Sequence, residues 1–98
     1  MSVTIVAEMI ARTGKEGDLR AALKELVKPT RAVPGCDSYI LHEDRSRPGH
    51  FMFYESWRSR KVWELQQSVS PHLAVFQSKA HDLVQVVAVY EMDPIQVD

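Results

Sequence analysis

Three side chains suited to binding an aromatic molecule or exchanging a proton occur at every second position: Phe53, Glu55 and Trp57. In a β-strand this spacing places them on one face. His72 and Phe76, four residues apart, share one face of a predicted helix. Inward aromatic residues more often form a core than a site, and surface exposure or local capping would equally explain His72. Glu55 is different, because an unpaired buried charge is costly, and it predicts a buried partner or a wet cavity.

The four histidines, His42, His50, His72 and His81, do not predict a metal site. His72 and His81 are nine residues apart and would point to opposite sides of a continuous helix. His42 and Asp44 share a strand face, but no third ligand follows at a local spacing. We therefore expect no bound metal.

Motifs of the common nucleotide-dependent and hydrolytic enzymes are absent from the sequence. It contains no glycine-rich phosphate loop, Walker pattern, dinucleotide fingerprint, nucleophile elbow or HExxH motif. Any chemistry is therefore expected to proceed without a nucleotide cofactor, or with one bound by unfamiliar means. The single cysteine, Cys36, allows neither an intrachain disulfide nor a thiolate cluster, and we assign it no role.

The composition is that of one ordinary globular domain covering residues 1–98, with 45% hydrophobic and 26% charged residues. Twelve basic and 13 acidic residues give a net charge of -1, so nucleic acid and anionic membranes are poor partners. The apolar runs are far shorter than the ~20 residues of a spanning helix, and no signal peptide is recognisable. We expect a cytoplasmic protein.

Alternation and helical spacing predict the elements that must position these side chains. Residues 3–12 alternate as a strand with two partly apolar faces, and residues 18–32 carry apolar side chains at spacings of three and four. Pro29 predicts a kink or an early end of that helix. Residues 36–44 and 50–57 then form two strands of a hairpin.

The second half of the sequence predicts a helical region bent in two and a last strand. Ser59 is the expected N-cap of a helix whose inward positions would be Val62, Leu65, Gln66 and Val69. The pair Ser70-Pro71 should start a new helical segment, because serine caps helices and proline favours the first position. Its expected inward residues are Leu73, Phe76 and Ala80, and residues 83–92 form a strand with two apolar sides.

The order βαββαβ in one α+β domain predicts a ferredoxin-like fold, an antiparallel sheet with the helices on one face. The other face would remain apolar and open to water, which monomers tolerate only over a few hundred Å². We therefore expect a homodimer formed through the sheet. The helix-facing set is expected to be Phe53, Glu55 and Trp57, and the partner-facing set Met52, Tyr54 and Ser56.

Several segments together resemble the antibiotic biosynthesis monooxygenase (ABM) domain, in particular its quinol monooxygenase-like branch. They are PGCDSYIL at 34–41, FMFYESW at 51–57 and Ser70-Pro71-His72 with Phe76. The first strand and Gly14-Lys15 also match, so the resemblance covers nearly the whole chain. It implies a dimeric α+β barrel with a substrate cavity between the sheet and the helices of each protomer.

The resemblance also implies an activity: oxidation of a quinol, phenol or polyketide-like substrate by dioxygen, with no flavin, metal or haem. Such chemistry needs an apolar cavity, a base and donors that stabilise developing charge. Trp57 and Phe53 would form the cavity wall, and Phe76 would close it.

His72 and Trp57 are the catalytic residues that follow from this resemblance. An imidazole with a reference pKa near ~6.5 can exchange protons at neutral pH, so His72 is the expected general base or proton relay. Tyr39 and Glu55 are expected to bind and orient the substrate or His72.

Other activities occur on similar scaffolds and remain alternatives. Haem degradation is disfavoured, because the related enzymes use an asparagine on the first strand and this sequence contains no asparagine. An isomerase of a phosphorylated metabolite would need a basic phosphate site, for which the candidates are Arg12, Lys15, Arg58 and Arg60. A dimeric ligand-binding module without turnover is the rival from another class.

Overall fold

The structure, a computed structural model, describes residues 2–97 as a four-stranded sheet and three helices. The elements follow in the order β1 (Val3–Ala11), α1 (Glu16–Arg31), β2 (Cys36–Glu43), β3 (His50–Trp57), α2 (Arg60–Val69), α3 (Pro71–Leu83) and β4 (Val84–Met92). This order confirms the predicted ferredoxin-like arrangement, including the division of the second helical region into two. No helix within residues 2–97 is both long and apolar enough to cross a bilayer.

The sheet has the strand order β2-β3-β1-β4, and every neighbouring pair is antiparallel. β3 and β1 are therefore the central strands, and β2 and β4 are the edges. Glu55 lies opposite Ile5 on β1 and opposite Tyr39 on β2. This register places the one acidic residue of β3 in the interior of the sheet rather than at its end.

β3 shows the predicted alternation between its two faces. Phe53, Glu55 and Trp57 are buried beneath the helices, whereas Met52 and Tyr54 each remain 42% exposed on the other side. The side chains follow the period of two because successive residues of a strand point to opposite faces.

α1 continues through Pro29 to Arg31, so the early end that the proline predicted is wrong. Proline removes one backbone donor, but here it lies in the last turn, where only one helical hydrogen bond is affected. Leu26 and Thr30, on either side of it, are both buried. Packing of this face therefore holds the last turn in helical conformation.

The buried face of α2 differs from the predicted one. Trp63 and Gln66 are buried, while Leu65 is 60% and Val69 is 66% exposed. Trp63 packs in a cluster with buried residues of β1 and β3, among them Trp57. Burial of the large indole removes more apolar area from water than a leucine would, and it sets the rotation of this ten-residue helix.

Serine residues cap both short helices as predicted. The Ser59 hydroxyl accepts a hydrogen bond from the Val62 backbone N–H at 3.2 Å. The Ser70 hydroxyl accepts one from the Leu73 N–H at 3.2 Å, and Pro71 occupies the first position of α3. Ser70 also ends α2, so one residue divides the two helices.

Candidate functional site

A cavity of about 200 Å³ lies between the sheet and the three helices. Because a cavity of roughly 150 Å³ can hold benzene, this one has room for a substituted aromatic ring. The sheet contributes the side chains of Ile5, Ala7, Tyr39, Phe53, Glu55 and Trp57, and the helices those of Leu26, Thr30, Trp63, Gln66 and Phe76.

The cavity opens on the side of edge strand β4. Val87 and Val89 line it and are nevertheless 54% and 48% exposed. Gln67 of α2 and Gln77 of α3 also line it and are exposed on the helix side. A ligand can therefore enter between β4 and the helices.

Glu55 places a carboxyl group on the apolar floor of the cavity. The residue is 6% exposed, and its Oε1 accepts a hydrogen bond of 2.9 Å from the indole Nε1 of Trp57. Burial disfavours the charged form and raises the pKa of Glu55 to about 7, although the Trp57 donor acts in the opposite direction. Near neutral pH this carboxyl group can therefore both accept and release a proton.

Tyr39 stacks on Phe53 beside this carboxyl group, with ring centroids 4.5 Å apart and planes inclined by 26°. Burial raises the pKa of Tyr39 strongly, and the nearby Glu55 carboxylate adds to the effect. The phenol therefore stays protonated across the physiological range. It brings a hydroxyl donor to the cavity wall rather than a base.

His72 lies outside the cavity wall. Its Nε2 is 3.0 Å from the Thr30 hydroxyl oxygen and 3.1 Å from the Gln66 amide nitrogen, and both of these residues line the cavity. With the amide in this orientation Gln66 donates to Nε2, so that nitrogen carries no proton. A proton could reach His72 from the cavity only through another group such as Thr30.

The structure thus brings five of the six predicted site residues to one cavity: Tyr39, Phe53, Glu55, Trp57 and Phe76. Their roles stay predictions, as does that of His72. Sequence reasoning missed Trp63 and treated Gln66 as an irregularity in an apolar stripe. The signal for Gln66 was the one that identified Glu55, a polar residue on a face that must be buried.

None of the four predicted phosphate-binding candidates lines the cavity. Arg12 donates to the His81 carbonyl at 2.8 Å, Arg60 pairs with Glu91 at 2.6 Å, and Lys15 lies 3.9 Å from Asp18. Within residues 2–97, no three His, Cys, Asp or Glu side chains are grouped so that they could hold a metal ion.

Comparison with known proteins places this architecture among similar chains. The model of the family described as Antibiotic biosynthesis monooxygenase matches residues 2–81. An uncharacterised Synechocystis protein, sll1783, is 27% identical over 82 residues, which cover 84% of this chain but only 55% of that protein. The chain therefore spans about half the length of that relative.

Two similar proteins have solved structures. The candidate monooxygenase Rv0793 of Mycobacterium tuberculosis is 32% identical over 94 residues, covering 95% of this chain and 91% of that protein. Its structure superposes with a TM-score of 0.89. PA3566 of Pseudomonas aeruginosa is 30% identical, covers 97% of this chain and 95% of its own, and superposes with a TM-score of 0.92.

Proposed function

The chain belongs to the antibiotic biosynthesis monooxygenase family, and on that basis we propose that it oxidises a phenol or quinol with dioxygen without a cofactor. The observation that carries this proposal is the aromatic cavity with a single carboxyl group, Glu55, on its floor. An apolar pocket with few polar groups suits a flat aromatic substrate. A buried carboxyl group that titrates near neutrality suits proton transfer from it.

In the proposed reaction the substrate is the reductant. The ring carbon para to a phenolic hydroxyl loses its hydrogen and becomes a carbonyl carbon, and the hydroxyl oxygen becomes the second carbonyl oxygen. Dioxygen supplies one oxygen atom to the ring, and its other atom leaves as water with the two hydrogens. The substrate gives up four electrons and dioxygen accepts four, so atoms and electrons balance.

The cavity residues have distinct parts in this proposal. Phe53, Trp57 and Phe76 confine the aromatic ring, and the hydroxyl of Tyr39 donates to oxygen atoms that gain negative charge. His72 acts behind the wall, holding or relaying a proton through Thr30, from which its Nε2 is 3.0 Å away.

Oxygen consumption tests the proposed activity. With substituted hydroquinones and phenols under air, we expect uptake that is proportional to protein and exceeds autoxidation. Trp57→Phe, which changes the cavity wall, is expected to slow the uptake, whereas Leu65→Ala, on the exposed side of α2, is expected to leave it unchanged. Saturable binding of these compounds with no enzyme-dependent uptake would replace this proposal with that of a binding module.

The sheet face opposite the helices supports a second proposal, a homodimer. It exposes large apolar side chains from three strands, namely Ile40, Met52, Tyr54, Val86, Tyr90 and Met92. Such a contiguous apolar surface exceeds what monomers usually leave in water. A second copy of the chain would cover it with an equivalent surface around a two-fold axis.

Tyr54→Lys is expected to weaken self-association at least about 10-fold, because two lysine side chains would be buried near the two-fold axis. Analytical ultracentrifugation over a dilution series measures this change. Leu65→Lys is the matched control, since Leu65 is 60% exposed on α2 and away from the open sheet face. A wild-type chain that sediments as a monomer at every concentration would contradict the dimer.

A further inference from the structure

The ionisable groups that face the cavity are few and carry no positive charge. Among residues 2–97 the lining contains one acidic residue, Glu55, and one phenol, Tyr39, but no lysine, arginine or histidine. Besides Tyr39, the titratable neighbour that acts on Glu55 is Cys36, also on β2. β1, β4 and the three helices present no ionisable side chain to the cavity in the part of the chain that the structure describes.

The two oxygens of the Glu55 carboxyl group differ in their surroundings. Oε1 accepts the hydrogen bond from Trp57 Nε1, whereas Oε2 accepts none from a described side chain. No fully buried side-chain oxygen or nitrogen among residues 2–97 lacks a hydrogen-bond partner. Oε2 is therefore not sealed in the core but reaches the cavity, where it can meet a ligand.

We propose that Oε2 of Glu55 binds the hydroxyl group of an uncharged, one-ring phenol and receives its proton, and that the cavity rejects anions. The transfer breaks the phenol O–H bond and forms a carboxylic acid on Glu55, which leaves a phenolate. As a role in catalysis this inference rests on the proposed function, in which the phenolate then gives its electrons to dioxygen. As a rule of recognition it stands on the cavity alone.

Geometry favours Glu55 over His72 for this step. Glu55 lines the cavity, whereas the imidazole of His72 lies behind Thr30 and Gln66, which occupy its Nε2. A general base must lie within hydrogen-bond reach of the proton that it removes. The His72 ring is therefore a positioning group for the cavity wall rather than the first proton acceptor.

The volume of the cavity sets the size of the ring system. About 200 Å³ exceeds the roughly 150 Å³ that holds benzene, which leaves room for a substituent but not for a fused three-ring system. A larger substrate would have to extend through the opening beside Val87 and Val89. We therefore expect selection for single rings within the phenol class.

Binding of three matched ligands tests the recognition rule. They are 4-methylphenol, its methyl ether 4-methylanisole and the anion 4-methylbenzoate, with affinities measured by calorimetry from pH 5 to pH 9. In its acidic form Glu55 can donate to the oxygen of either the phenol or the ether, so the two should bind alike at low pH. The carboxylate can only accept, so it retains the phenol and loses the ether as the pH rises.

We expect the preference for 4-methylphenol over the ether to grow to about 10-fold or more at high pH, the worth of one hydrogen bond to a charged group. 4-Methylphenol itself ionises only near pH ~10, like tyrosine, so it stays largely neutral over most of this range. 4-Methylbenzoate should bind at least about 10-fold more weakly than the phenol at pH 8. A three-ring phenol, 1-hydroxyanthracene, should also bind at least about 10-fold more weakly.

Glu55→Gln provides the matched variant, since its amide can both donate and accept at every pH. Its preference for phenol over ether should not change with pH, and its exclusion of 4-methylbenzoate should weaken. A pH-independent preference in the wild-type chain, the same pH dependence in Glu55→Gln, or no binding of 4-methylphenol would each overturn the inference. The wild-type series decides this even if the variant does not fold.

Oxygen uptake separates this inference from the proposed function. If 4-methylphenol binds by the expected rule but no phenol or quinol is ever oxidised, the proposed function fails and the recognition rule stands. If Glu55→Gln oxidises a substrate with the wild-type kcat and pH profile, Glu55 is not the proton acceptor although the activity is real.

Discussion

Glu55→Gln is expected to make the fold more stable than wild type by about 3 kcal/mol at pH 8 and to leave stability nearly unchanged at pH 4. Burial raises the pKa of Glu55 from 4.5 to about 7, and each pKa unit corresponds to about 1.4 kcal/mol. The native state therefore binds more protons than the unfolded state between these values, and wild-type stability falls as the pH rises through that window. Glutamine has no charge to bury and removes this loss.

Urea unfolding of the wild type and the variant at pH values from 4 to 8 measures the difference. Parallel stability curves across that range would show that Glu55 does not titrate there. Glu43→Gln is the control with the opposite sign. Its hydrogen bonds from the Arg20 side chain and the Gly49 backbone lower the pKa of Glu43 to about 2. Its contribution is therefore present above pH ~4.5 and lost as the pH falls through about 2.

Trp57→Ala is expected to destabilise the fold by about 3–5 kcal/mol, the range for removing a fully buried aromatic side chain from a core. Trp57 is fully buried and packs with Val3, Ile5 and Trp63 at the end of the cavity. Urea unfolding at pH 5, where most of the Glu55 carboxyl is protonated, measures this loss. A loss below about 1 kcal/mol would contradict close packing around the indole.

Trp57→Phe separates the hydrogen bond from the packing. Phenylalanine keeps most of the apolar contact but cannot donate to Glu55 Oε1, which accepts from Trp57 Nε1 at 2.9 Å. Since that donor lowers the pKa of Glu55, its removal should raise the pKa above the wild-type value of about 7. A carboxyl-carbon NMR titration of Glu55 measures the shift, and an unchanged or lower midpoint would contradict it.

The parts of this fold that follow from local periodicity could be predicted from the sequence. The faces of β3 were predicted correctly because a strand has only two faces and Phe53 and Trp57 mark one of them. Glu55 was predicted to border a cavity from its type and its position between them. The caps at Ser59 and Ser70 were predictable because they depend on contacts within three residues.

The parts that depend on distant contacts could not be predicted. α2 carries apolar side chains at several phases of the helix, and only packing of Trp63 against β1 and β3 selects which of them is buried. The distance of His72 from the cavity depends likewise on how α3 lies against α1 and α2. No local spacing in the sequence encodes that arrangement, so Thr30 and Gln66 were not foreseen as its partners.

The contacts of His72 have a mechanical consequence. The residue belongs to α3, and its Nε2 meets Thr30 of α1 and Gln66 of α2, so a single ring nitrogen joins all three helices that cover the cavity. Separation of α1 or α2 from α3 must break a bond at that same atom. Fluctuations of the cover are therefore cooperative, and entry of a ligand wider than the opening beside β4 requires the three helices to lift together.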